Sequence, residues 1–189
     1  MPTYIFLLII FYLPTALRPI SFENMWRILF VVFMLSFVMP MISLLILRFS
    51  HYIKSIHLHE RRERIVPFIF VMSFYAISSY LFYDKINLND VLYLLFLAIA
   101  FLLVALTLLN LKVKVSIHSA AIWGVFGFIY ALGLKYPEHN IRELLTVLAL
   151  IGGLVNTSRL ALDAHTPIQV GLGGIAGFVV CFLSFYIYL

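Results

Sequence analysis

A polytopic bundle of membrane-spanning helices is the fold class this sequence predicts, and three observations predict it. Hydrophobic residues fill 64% of the 189 positions and charged residues 11%, at a mean hydropathy of +1.09. A soluble domain of this length has too little interior to hide that much apolar surface. The apolar residues gather into seven runs, most of them near the roughly 20 residues an α-helix needs to cross a bilayer. No run carries an ionisable residue near its centre, which suits lipid-embedded helices and disfavours a transporter or channel with a charged pathway. The expectation is an all-α, single transmembrane domain over 1–189 with six or seven spanning helices.

The runs can be justified in order. Run one, about 3–17, is short and interrupted by Pro14, so a tilted, half-inserted or shortened helix is expected. Run two, 26–48, carries Pro40, which should kink it because proline lacks the N–H that a helix interior needs. Run three, 66–83, has Pro67 in its first turn, where that missing donor costs nothing. Runs four (91–110) and six (143–157) begin beside Asp90 and Glu143, carboxylates favoured by the helix dipole. Run five, 117–134, follows Lys114 and Ser116 and has His118 in its first turn. Run seven, 168–189, starts after Thr166, a suitable N-cap, with Pro167 at the favoured first position. All nine glycines lie between Gly124 and Gly177, and the Gly173 to Gly177 spacing lets helices approach closely. Runs five to seven are therefore expected to form the tight part of the bundle. Cys181 is the single cysteine, so no internal disulfide forms and a buried, inert thiol is expected. The first residues show neither a basic segment nor a clear cleavage site, so no removable signal peptide is expected.

Loops must alternate between the two membrane faces. Residues 49–65, 111–116 and 158–167 then share one face, and 18–25, 84–90 and 135–142 the other. The first face holds Arg48, Lys54, Arg61, Arg62, Arg64, Lys112, Lys114 and Arg159, which is 8 of the 13 basic residues against 5 opposite. It also holds five of the six histidines: His51, His57, His59, His118 and His165. The net charge of +5 thus speaks of lipid headgroups and topology, and no nucleic-acid partner is expected. Three helix starts on one face, each preceded by basic side chains, suit an anion such as a phosphate. His57 and His59 offer two imidazoles, but no carboxylate or cysteine set completes a zinc site, so no metal is expected.

Specific spacings sharpen this picture. Ser158-Arg159, five residues, His165, three residues, Gln169 resembles the third signature of the phosphatidic-acid phosphatase type 2 superfamily, Ser-Arg-x5-His-x3-Asp. Val115-Ser116-Ile117-His118 falls where that family has Pro-Ser-Gly-His, and HERRERIVP (59–67) occupies the place of Lys-x6-Arg-Pro, with Arg64 three residues before Pro67. The likeness covers about residues 50–185 and is to a compact, Bacteroidetes-type bacterial branch. It implies an integral enzyme of the bacterial inner membrane, without cofactor, that removes phosphate from a lipid or prenyl phosphate through a phosphohistidine. In that scheme His165 is the nucleophile, His118 protonates the leaving alkoxide, and Arg64, Lys114, Ser116 and Arg159 hold the phosphoryl oxygens. Gln169 stands where the family has the aspartate that orients the nucleophile, and it supplies no negative charge. Two readings stay open: a working phosphatase with an altered orienting group, or a catalytically impaired descendant that binds lipid phosphates or serves as a membrane partner. The sidedness stays open too, since the charge count favours the cytoplasm for the basic face and the resemblance the periplasm.

Overall fold

The computed structural model describes residues 1–50, 65–86, 89–137 and 140–188, and they form helices joined by short turns, with no strand among the described residues. The helices are α1 (Pro2–Tyr12), α2 (Phe22–Phe33), α3 (Met39–Phe49), α4 (Ile65–Leu81), α5 (Asp90–Lys112), α6 (Ile117–Lys135), α7 (Ile141–Ala161) and α8 (Pro167–Tyr186). A π-helical segment, Met34–Val38, joins α2 and α3 into one 28-residue rod. Among the described residues, that rod and the helices beginning at residues 65, 90, 117, 141 and 167 are the six elements long and apolar enough to cross a membrane. The chain is a multi-pass membrane protein. Its helices necessarily contact membrane lipid, as the many exposed large apolar side chains require.

The first run does not span. At 11 residues, α1 is about 16 Å long, half the hydrocarbon thickness of a bilayer. Pro14 ends it and a single 3-10 turn, Pro14–Leu17, follows. Phe6, Ile9, Leu13 and Leu17 are fully buried, so α1 fills the bundle interior instead of facing lipid. The Met1 side chain lies close to Gly124, near the middle of α6. At its other end, Asn89 donates from Nδ2 to the carbonyls of Ala16 (3.0 Å) and Arg18 (2.8 Å), while its Oδ1 caps α5 by accepting from Val91 N–H (2.8 Å). This amide ties the segment after α1 to the α4–α5 turn, on the face opposite the basic loops.

Pro40 acts as expected, with an added compensation. Its missing N–H deprives the Ser36 carbonyl of the usual helical donor. The buried Tyr75 hydroxyl of α4 donates to that carbonyl instead, at 3.0 Å. The π segment widens the helix just before the proline, and the Ser36 hydroxyl shares a hydrogen bond with Thr3 of α1 at 2.7 Å. Unsatisfied backbone is costly where no water can reach, so the kink and the tyrosine form one unit.

The most buried span is α5, apolar on all sides and packed between α4, α8 and α1. The closest seam runs between α6 and α8. A methyl group added at Gly173 would lie 2.5 Å from the Ser116 carbonyl oxygen, and one at Gly177 2.1 Å from that of Ala120. Neither position accepts a side chain without prising the helices apart. Run seven's glycines therefore do what their spacing predicts, but α7 joins less closely. It packs mainly on α6, with Gly152 against the Trp123 ring, and barely touches α8. A lateral groove is left between α7 and α8.

Candidate active site

The α7–α8 connection is shorter than its polar sequence suggests. Ser158 and Arg159 belong to the last turn of α7, and only residues 162–166 form the turn. Asp163 N–H donates to the Leu160 carbonyl (3.0 Å) and Ala164 N–H to that of Arg159 (3.2 Å), with Asp163 at φ 50°. These are the two bonds of a Schellman ending, whose left-handed position usually carries glycine and here carries a short polar residue that tolerates it. The chain thereby reverses within one turn and delivers His165 directly ahead of α8.

Four residues then set the ring. Thr166 is the N-cap of α8, accepting from Gln169 N–H (3.4 Å), and Pro167 follows at the first helical position. Gln169 closes the capping box, its Oε1 accepting from Thr166 N–H at 3.3 Å. The same Oε1 lies 3.1 Å from His165 Nδ1. A backbone N–H can only donate, so it holds the amide with oxygen inward. Facing that oxygen, the neutral imidazole must carry its proton on Nδ1. Nε2 is then the nitrogen that bears the lone pair. A helix cap selects the tautomer, and no carboxylate is needed to do so.

The start of α6 is pinned to the same place. Ser116 N–H donates to the Gln169 carbonyl (3.1 Å), and Ser119 Oγ–H donates to that of Val170 (2.9 Å). Ser116 Oγ caps α6 by accepting from Ser119 N–H (3.4 Å), and the residue is fully buried. Ser116 thus serves to join two helix starts and does not line the cleft beside His165. That cleft encloses about 540 Å³ between Lys114, Leu160, Asp163, His165, Thr166 and Gln169. Its cation, Lys114, lies between α5 and α6, in the turn before the helix start that Ser116 pins.

The remaining predicted site residues divide as follows. His118 is exposed in the first turn of α6, two residues past Ser116 and at the same end of the bundle, but off the cleft wall. Arg159 is half-buried, and its Nε finds no hydrogen-bond partner among the described residues. Arg64 lies outside the described residues, as do Lys54, Arg61, Arg62, His51, His57 and His59. Among the described residues no three of His, Cys, Asp and Glu gather as a metal ion would require.

Sequence reasoning passed over Asn156. It sits one turn before Arg159 on α7, its Oδ1 buried and, like Arg159 Nε, without a partner among the described residues. Its signal was available: an amide near the end of an otherwise apolar run, three residues from an arginine and therefore on the same helix face.

No protein-family model matches the chain, and no curated protein or solved structure is significantly similar to it. Fold and site together define a multi-pass helical membrane protein with a polar, histidine-bearing cleft, lined by Lys114 and Asp163, at one end of its bundle.

Proposed function

We propose that this chain is a phosphatase of membrane lipid phosphates or prenyl diphosphates that works through a phosphohistidine at His165. The observation that carries the reading is the hydrogen bond from His165 Nδ1 to a Gln169 oxygen already oriented by the α8 cap, in a cleft that Lys114 also lines. An imidazole so held has its lone pair on Nε2, the state a nucleophile needs. The resemblance of the 158–169 spacing and of Ser116-x-His118 to the phosphatidic-acid phosphatase type 2 superfamily points the same way.

The chemistry balances without a cofactor. Nε2 attacks phosphorus, a P–N bond forms, and the P–O bond to the lipid breaks. In this scheme His118 gives a proton to the departing oxygen, an alkoxide from a lipid phosphate or a phosphate oxygen from a prenyl diphosphate, and then takes one from the water that cleaves the P–N bond. Inorganic phosphate leaves and both rings return to their starting forms. Lys114, Arg159 and Arg64 offset the charge on the phosphoryl oxygens, arginine through its planar fork. The impaired-descendant reading has one observation in its favour, the neutral Gln169, which gives an imidazole turning cationic no opposite charge.

The test is phosphate release from phosphatidate and farnesyl diphosphate by the purified protein, with acid quench to trap an acid-labile phosphoenzyme. Release by wild type with a trapped phosphoenzyme, loss of both in His165→Ala, and greatly slowed release from phosphatidate in His118→Ala are expected. Turnover that survives His165→Ala would refute the phosphohistidine. Absence of turnover with retained lipid-phosphate binding would establish the impaired descendant.

A further inference from the structure

Phosphorylation of an imidazole makes the ring cationic, and the neutral Gln169 beside His165 offers no charge in return. Among the described residues of the basic face, Asp163 is the only carboxylate. The other charged or titratable groups on the elements around the α7–α8 turn are Lys112 and Lys114 before α6, His118 in its first turn and Arg159 in the last turn of α7. The first turn of α8 carries none. Asp163 and His165 line the same cleft. They are two residues apart, so their Cα atoms lie within about 7 Å of each other. The left-handed turn at φ 50° is what folds this short segment back, with the backbone N–H groups of 163 and 164 bonded to the end of α7. Glycine is the residue that position favours, and an aspartate there costs stability. Strain kept at the wall of a cleft points to a use for the side chain that causes it.

We propose that Asp163 is a positioning residue for His165: from the wall of the same cleft its carboxylate supplies the negative charge that Gln169 lacks, and so stabilises the ring as it becomes cationic. This role rests on the phosphohistidine reading and divides one task between two residues. Gln169 fixes the tautomer through its hydrogen bond, and Asp163 acts through its charge. The carboxylate takes no proton and forms no bond, so the atoms exchanged in the step stay as they were. Asp163 is exposed, and water weakens its field. A unit charge about 7 Å away, in a dielectric between that of water and that of a protein surface, moves an imidazole titration by about 0.5–1 pH unit. The same carboxylate repels an incoming phosphate. It therefore weakens binding of the anion while it assists the chemical step, a split that a merely structural residue would not produce.

Asp163→Asn removes the charge and keeps a side chain that tolerates the left-handed turn, while Asp163→Gly removes the charge and relieves the strain. Protonation of His165 can be read without turnover, from peptide-resolved carbethoxylation of the purified protein against pH, because only the neutral ring reacts. At low salt His165 of both variants should titrate about 0.5–1 pH unit below wild type, since the carboxylate favours the protonated ring. The difference should vanish near 1 M NaCl, where the Debye length is about 3 Å. In phosphatidate hydrolysis, kcat on the alkaline plateau should fall about 3- to 10-fold with the acid limb moved to lower pH. Inorganic phosphate should inhibit the variants at concentrations no higher than it needs for wild type. Asp163→Gly should behave so at a melting temperature above that of wild type, which separates the effect from lost stability. Gln169→Glu in the Asp163→Asn background should restore kcat. A His165 titration unchanged in both variants, a difference that persists at high salt, or a kcat loss that Gln169→Glu leaves unrepaired would overturn the inference. The expected titration difference without phosphate release from any lipid would instead overturn the phosphohistidine reading and leave the charge coupling of Asp163 and His165 standing.

Discussion

Replacing Gln169 by leucine removes two hydrogen bonds with one substitution, and their consequences separate. Thr166 N–H, 3.3 Å from Gln169 Oε1, belongs to an exposed residue, so water can take over as acceptor. Losing that half of the capping box should lower stability by about 0.5–1 kcal/mol, the low end for helix caps. The His165 Nδ1 bond, at 3.1 Å, is half-buried and has a different role. Without it the neutral ring has no reason to keep its proton on Nδ1, and its plane is no longer fixed against the cleft. A lost hydrogen bond to a partly buried donor costs about 1–3 kcal/mol, and tenfold in rate corresponds to about 1.4 kcal/mol. Turnover of the leucine variant should therefore fall about 10- to 100-fold. Reversing the tautomer as well as removing a charge costs a serine protease triad about 10⁴, which sets an upper bound. Gln169→Glu keeps the side-chain length, so both bonds survive and a negative charge is added beside the ring. It should turn over faster than wild type, with the acid limb of its pH–rate profile moved to higher pH, because a neighbouring carboxylate favours the protonated imidazole. Gln169→Asp adds the same charge on a shorter arm and should gain less. Phosphate release against pH, with melting temperatures in detergent, reads both effects. Lowered melting temperature of the leucine variant at wild-type turnover and an unmoved pH profile of the glutamate variant would show that Gln169 only caps α8.

Further expectations follow from the packing. Tyr75→Phe should destabilise the protein by about 1–2 kcal/mol, and by much less in a Pro40→Ala background, where an N–H at position 40 can again reach the Ser36 carbonyl; a thermal-denaturation double-mutant cycle measures the difference. Asp163→Gly should stabilise by about 0.5–1 kcal/mol, because φ 50° is free of strain only for glycine, and Asp163→Val should destabilise. Gly177→Ala, whose methyl would sit 2.1 Å from the Ala120 carbonyl, should prevent assembly of the monodisperse protein on size exclusion. Gly171→Ala and Gly153→Ala, with nothing within 4 Å, should behave as wild type there.

Much of this was legible in the chain. Fold class and helix order follow from run length, since a bilayer admits only helices or closed barrels and none of the runs alternates with a two-residue period. The position of the α8 start was legible because Thr166-Pro167 meets local requirements that no distant residue alters. The contact between His165 and Gln169 was legible for the same reason: residues four apart across a capped helix start face each other in any fold. The kink at Pro40 was equally local. Its repair was not, because Tyr75 lies 35 residues further on, and only packing decides which hydroxyl reaches a stranded carbonyl. The half-length of α1 also needed the bundle, since an apolar 11-residue segment is stable inside only if α5 and α6 leave room for it. Ser116 read from its neighbours alone looks like a phosphate ligand. The close approach of Gly173 is what turns its N–H to the Gln169 carbonyl and buries it. The groove beside Asn156 is the clearest product of tertiary structure. Glycine content says that helices approach closely, but it does not say which pair does, and the closeness of α6 to α8 is what leaves α7 standing apart from α8.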